Sequence, residues 1–193
     1  MKRFLGMIIL ILSTFGVNSA FAQVDTDLPK GQVVVFDGFE NGNFWIWAGF
    51  DYDQFGVHKI SNGANLSMDW ASEGRHSLEL TMEAMGPGSS KSASWFYDGT
   101  NDLSGTKYVA VDIYNPEDYT YYIYAVLQAT NEWKWCQSAQ GYTISKGVHT
   151  VIYDFREFTN ILDDVRRVSI NCDNWAEYNK ESHIYIDNIR LIK

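Results

Sequence analysis

The chain has 193 residues, a formal net charge of −9, and 16% aromatic residues (7 Trp, 12 Tyr, 11 Phe). So many rings exclude a disordered chain, and 15 Lys+Arg against 24 Asp+Glu leave no basic surplus for neutralising nucleic-acid phosphates. The length suits one domain, so the question is which rings fill a core and which are displayed.

Met1-Lys2-Arg3 is a short basic start, followed by a mostly apolar run centred on Met7-Ile8-Ile9-Leu10-Ile11-Leu12. Ala20-Phe21-Ala22 then supplies a small-residue cleavage signature. Residues 1–22 are therefore expected to be a cleaved signal peptide, 23–30 a short leader and 31–193 the domain. The apolar run falls short of the roughly 20 residues a membrane span needs. No second apolar run follows, so no transmembrane segment is expected. The product is expected to be secreted, periplasmic or displayed at the cell surface. Export places Cys136 and Cys172 where oxidation is permitted, which suits one disulfide. Two buried free thiols are the alternative.

Beyond the leader, apolar residues alternate with period two rather than with a helical period. Strands are expected at 33–36, 77–82, 93–97, 107–114, 121–128, 133–137, 148–155, 166–172 and 183–191. Gly-, Asn-, Asp- and Ser-rich breaks separate them, and one short helical turn is expected around 158–162. Many short strands at regular spacing predict an all-β sandwich.

Side chains alternate across a strand, so parity sorts the residues within each one. Ile123, Ala125 and Leu127 oppose Tyr122, Tyr124, Val126 and Gln128. Val109, Val111 and Ile113 oppose Tyr108, Ala110, Asp112 and Tyr114. Val168, Ile170 and Cys172 oppose Arg167, Ser169, Asn171 and Asp173. The aliphatic sets are expected in the core, and the second sets on an outer face that mixes Tyr with polar groups. Trp133-Lys134-Trp135-Cys136-Gln137 divides two ways. Either Cys136 faces the core and both Trp face out, or both Trp are buried.

Several stretches resemble β-jelly-roll carbohydrate-binding modules. Phe36-Asp37-Gly38-Phe39-Glu40-Asn41-Gly42 is similar to their D-F-E-x-G opening, with Gly38 where many members carry an acidic residue. Gly74-Arg75-His76-Ser77-Leu78-Glu79-Leu80 resembles their G-x-x-S-L-x-L strand. Asp102-Leu103-Ser104-Gly105 to Pro116, and Gly147-Val148-His149-Thr150-Val151, match later landmarks. Ile184-Tyr185-Ile186-Asp187-Asn188-Ile189-Arg190-Leu191 resembles the closing I-x-I-D-N-I-x-L strand. The likeness is greatest to β-glucan-binding family 11 modules and other galactose-binding-like domains. It implies a jelly roll of two antiparallel sheets. It also implies a structural Ca²⁺ held by Glu40 and Asp187, with Asp37 contributing and backbone oxygens near 74–77 completing the shell.

Sugars are recognised by aromatic rings packed on pyranose faces and by polar side chains paired with hydroxyls. The candidate platform is Tyr122, Tyr124, Trp133 and Trp135, and the candidate polar set is Asp112, Gln128, Arg167, Asn171 and Asp173. Trp47, Tyr52, Trp95 and Trp175 are candidate rim residues. The expected partner is a polysaccharide or oligosaccharide, with β-glucan one candidate that the resemblance implies, and no nucleic acid. A glycosidase would need two carboxylates flanking the bond. Glu132 with Asp112, Asp173 or Glu177 is the available pairing, but the paired-carboxylate motif of sandwich glucanases, H-E-x-x-H and G-x-S-x-G are all absent from the sequence. The function expected is thus non-catalytic carbohydrate binding. A structural, adhesion or filament-sheath role on the same fold is the alternative, and a hydrolase or lyase is second to that.

Overall fold

The computed structural model describes residues 27–42, 44–53, 56–59, 62–82, 90–174 and 181–193. The expected signal peptide, Trp175 and Glu177 lie outside them, as do the side chains of Trp47 and Tyr52. The described strands are β1 Val33–Asp37, β2 Ile46–Asp53, β3 Gly56–Lys59, β4 Asn62–Ser67, β5 Ser77–Met82, β6 Ser90–Asn101, β7 Tyr108–Asn115, β8 Tyr121–Ala129, β9 Lys134–Gln137, β10 Tyr142–Ile144, β11 Gly147–Asp154, β12 Val165–Asn174 and β13 Ser182–Ile192. The helical turn is a 3-10 turn at Arg156–Phe158, just before its expected position.

The strands form two antiparallel sheets. One runs β11-β7-β13-β5-β4, with β1 also paired to β13. The other runs β10-β8-β12-β6-β2-β3, with β9 also paired to β8. The aliphatic sets picked by parity meet between them: Val109, Val111, Ile113, Ile123, Leu127, Val168 and Ile170 are all buried. Each such side chain contributes roughly 1.5–3 kcal/mol on leaving water, so the alternation itself drives the two faces together. Trp95 joins this core, fully buried, and its indole N–H donates to the Gly63 carbonyl at 2.8 Å. It ties β6 to β4 across the sandwich and is no rim residue.

β2, β3, β4 and β10 carry no clear apolar alternation. Asn62 and Gly63 pair with Met82 and Thr81. Asp51 and Asp53 belong to β2 and pair with His58 and Gly56 of β3. In these strands backbone pairing overrides weak local propensity.

Cys136 and Cys172 are both buried and free, which corrects the expected disulfide. The register gives the reason. Cys136 lies opposite Leu127 and Cys172 opposite Ile123, on the two different neighbours of β8. Four residues along a strand and two strand spacings separate them, far beyond the 7 Å limit for a bridge. Both thiols face the core, and burial pushes both above the usual thiol range.

Candidate functional site

The outer face of the β8–β12–β6 sheet carries the candidate site. Successive cross-strand rows read Asp98–Arg167–Gln128–Trp135, Phe96–Ser169–Val126–Gln137, Ser94–Asn171–Tyr124 and Ser92–Asp173–Tyr122–Thr143. A groove of about 290 Å³ runs over these rows. Its floor holds Ser92, Ser94, Ser169 and Asn171, and Tyr124, Gln128, Trp135, Arg167 and Phe96 also line it. The sequence places Tyr122, Tyr124, Gln128, Arg167, Asn171 and Asp173 on one face, and the register brings them side by side.

The Trp pair belongs to the same face. Trp133 is 47% exposed and Trp135 53% exposed, while Cys136 between Trp135 and Gln137 is buried. Lys134, opposite Ala129 where the β8–β9 hairpin ends, stays exposed despite its inward parity. Trp133 has a φ of 56° and Thr130 a φ of 65°, so two non-glycine residues of the hairpin turn lie in the left-handed region. That conformation costs roughly 1–2 kcal/mol per residue. The hairpin stores it while presenting Trp133 beside the Arg167 guanidinium, whose carbon lies 5.4 Å from the indole centroid.

Polar contacts fix the remaining side chains. Arg167 donates from Nε and Nη2 to the two carboxylate oxygens of Asp98, at 2.6 and 2.8 Å. Its guanidinium carbon also lies 3.7 Å from the Phe96 ring centroid. Burial, together with the nearby Asp173 carboxylate, pushes the Tyr124 phenol up to about 12. Burial also raises Asp173 above its ordinary value. The Tyr122 ring lies against the backbone of Gly141, where a Cβ would stand 2.4 Å from a ring carbon. Asn171 is 5% exposed, and its buried Nδ2 has no hydrogen-bond partner. An amide donor without a partner on a groove floor is costly unless something takes its hydrogen bond.

Asp112 does not belong to this groove. It sits on β7, in the opposite sheet, 4% exposed. It accepts from Ser72 Oγ, Thr150 Oγ1, Asn188 Nδ2 and Arg190 Nη2. Asp112 alternates with the core residues Val111 and Ile113, but β7 pairs with β11 and β13 rather than β8. The same placement separates Asp112 from Glu132, which is exposed on the β8–β9 turn. Phe96, Ser92, Ser94 and Asp98 were missed. Alternation in Ala93-Ser94-Trp95-Phe96-Tyr97-Asp98 would have selected them once Trp95 was placed in the core.

The calcium expectation meets a specific donor set. Asp37 accepts from Phe39 N and Trp45 Nε1. Glu40 Oε1 accepts from the backbone N–H groups of Arg75 and His76, both at 2.7 Å, which hold its carboxyl below the usual range. Asp187 accepts from Ser72 N, Glu73 N, Ser72 Oγ and Asn188 N. A calcium shell is built from oxygens, whereas the 72–76 segment offers Glu40 and Asp187 mainly N–H groups. Among the described residues, no three metal-binding side chains converge. As arranged, these carboxylates do not fit a calcium shell; they clamp the segment to the sandwich. Gly74 permits this with a φ of 68°, since a Cβ there would stand 2.5 Å from Glu40 Oε1. The clamp predicts that Glu40→Gln and Gly74→Ala each lower Tm, while chelator leaves the wild-type Tm unchanged. A clear fall in Tm with chelator, restored by calcium, would return Glu40 and Asp187 to a cation.

A two-sheet antiparallel sandwich with a ring-walled, hydroxyl-floored groove defines a class, the carbohydrate-binding-module fold. The chain belongs to the "mannanase, galactose-binding domain-like" family, whose model matches residues 38–188. Solved structures share the fold at low identity. One, from work on the promiscuous specificity of β-sandwich carbohydrate-binding modules, has a TM-score of 0.63 at 16% identity over 82% of this chain; the match spans 62% of that longer chain. A family 28 module specific for non-crystalline cellulose gives 0.57 at 20% identity, over 86% of this chain and 97% of that one. The Clostridium thermocellum family 11 module bound to a β-1,3-1,4-mixed-linked tetrasaccharide gives 0.57 at 12%, over 85% and 97%. A search of curated proteins finds no significant match. No helix among the described residues is long and apolar enough to cross a membrane.

Proposed function

We propose that this protein is an exported, non-catalytic module that binds a polysaccharide chain along the β8–β12–β6 groove. One observation carries this: two half-exposed Trp stand beside a groove with a hydroxyl- and amide-lined floor. Rings on the walls suit the apolar faces of pyranoses, and the floor suits their hydroxyls. The family name puts mannan first among ligands to try, and the ligands of the fold relatives add mixed-linkage β-glucan and non-crystalline cellulose.

Affinity electrophoresis and calorimetry against soluble mannans, β-glucans and xylans test the proposal. Retardation by at least one, with no release of reducing ends, is the expected result. No interaction with any of them, by folded protein with and without calcium, overturns it. Reducing-end release would make it a hydrolase.

A further inference from the structure

We propose that Asp98 sets the class of glycan the groove accepts, by cancelling the charge of Arg167 so that uncharged chains bind and polyuronates do not. This rests on the polysaccharide-binding reading and goes beyond it to the ligand's charge.

Arg167 is fixed on three sides. Phe96 lies under its plane, Trp133 flanks it, and Asp98 takes its Nε and Nη2 edge through two short parallel hydrogen bonds. A guanidinium carries five N–H donors, so three remain for a ligand after Asp98 takes two. Those three can serve sugar hydroxyls. What Asp98 removes is the net positive charge, because a bidentate pair of this geometry is the arrangement in which a carboxylate best satisfies arginine. A uronate reaching Arg167 would have to displace Asp98 or crowd it. Further along the same strand stands Asp173, between Ser92 and Tyr122 in its row. The chain as a whole is acidic, at −9. A neutral chain loses nothing to these fields; a polyuronate is repelled along its length.

Asp98→Asn keeps the size and one acceptor for Arg167 but exposes the cation. Wild type and variant should be titrated with the neutral glycan that wild type binds, and with polygalacturonate and alginate. Wild type is expected to bind the neutral chain and neither polyuronate. The variant's affinity for polyuronate relative to the neutral chain should rise at least about tenfold at about 0.01 M salt, with the rise gone near 1 M where screening is nearly complete. Asp98→Asn combined with Arg167→Gln should lose the gain. Asp98→Ala repeats the test if the Asn variant has a lowered Tm. Two results overturn the proposal: equal binding of polyuronates and neutral chains by wild type, or folded Asp98 variants that bind neutral chains but gain nothing. Binding of no glycan of either kind by wild type instead fells the polysaccharide reading itself.

Discussion

Trp135→Ala weakens glycan binding by about 2 kcal/mol or more, roughly thirtyfold, as expected of an aromatic anchor in a binding surface, and leaves the melting temperature nearly unchanged. The second half follows from exposure. Trp135 is 53% exposed, and its indole N–H donates to Gln137 two residues along the strand, so truncation opens no cavity. Trp133→Gly gives a sharper version of the same test. Its left-handed backbone suits glycine, so removing the indole relieves strain on the order of 1 kcal/mol. Loss of the contact with Arg167 offsets part of that gain. Binding should fall while the melting temperature does not. Calorimetry and thermal melts on the same samples check both halves. Loss of stability in either variant would mean that the rings pack the fold rather than serve a ligand.

Asp112→Ala has the opposite signature. It removes the acceptor shared by Ser72, Thr150, Asn188 and Arg190. Arg190 is left as a largely buried charge without its carboxylate. Removing one partner of a buried pair costs about 3–5 kcal/mol, which for a chain of this size lowers Tm by roughly 6–20 °C. Affinity for glycan, measured per folded molecule below the transition, stays the same, because Asp112 lies on the sheet opposite the groove. Denaturant titration gives the first number and calorimetry the second. A variant of wild-type stability with lost binding would restore Asp112 as a ligand residue.

Much of the fold was legible because alternation is a local property. Val109–Val111–Ile113, Ile123–Ala125–Leu127 and Val168–Ile170–Cys172 could be assigned to the core from their own strands, and all are buried. β4 and β10 were not legible in the same way. Asn62, Gly63 and Asn65 say little about strand formation; their pairing with β5 does. The two cysteines illustrate the same limit. Parity puts Cys172 on the core side and leaves Cys136 open, and the distance between them depends on which neighbours of β8 their strands occupy.

The binding face shows where the division falls. By itself the sequence determined that this is an aromatic-rich, all-β chain, which residues of β7, β8 and β12 point inward, and that Tyr122, Tyr124, Gln128, Arg167 and Asn171 point the other way. Only the tertiary structure decided that β12 and β8 are neighbours while β7 lies in the other sheet, which separates Asn171 from Asp112. It also decided that Trp133 and Trp135 face out, that Phe96 and Asp98 join Arg167, and that Trp95 does not. The physical reason is range. Side-chain direction repeats every two residues and is written locally, whereas strand order is set by pairings between segments as far apart as β6 and β12. Parity therefore turned Tyr122 and Tyr124 outward from their own strand, but Trp95, Trp133 and Trp135 could be divided between core and groove only by the sheet order.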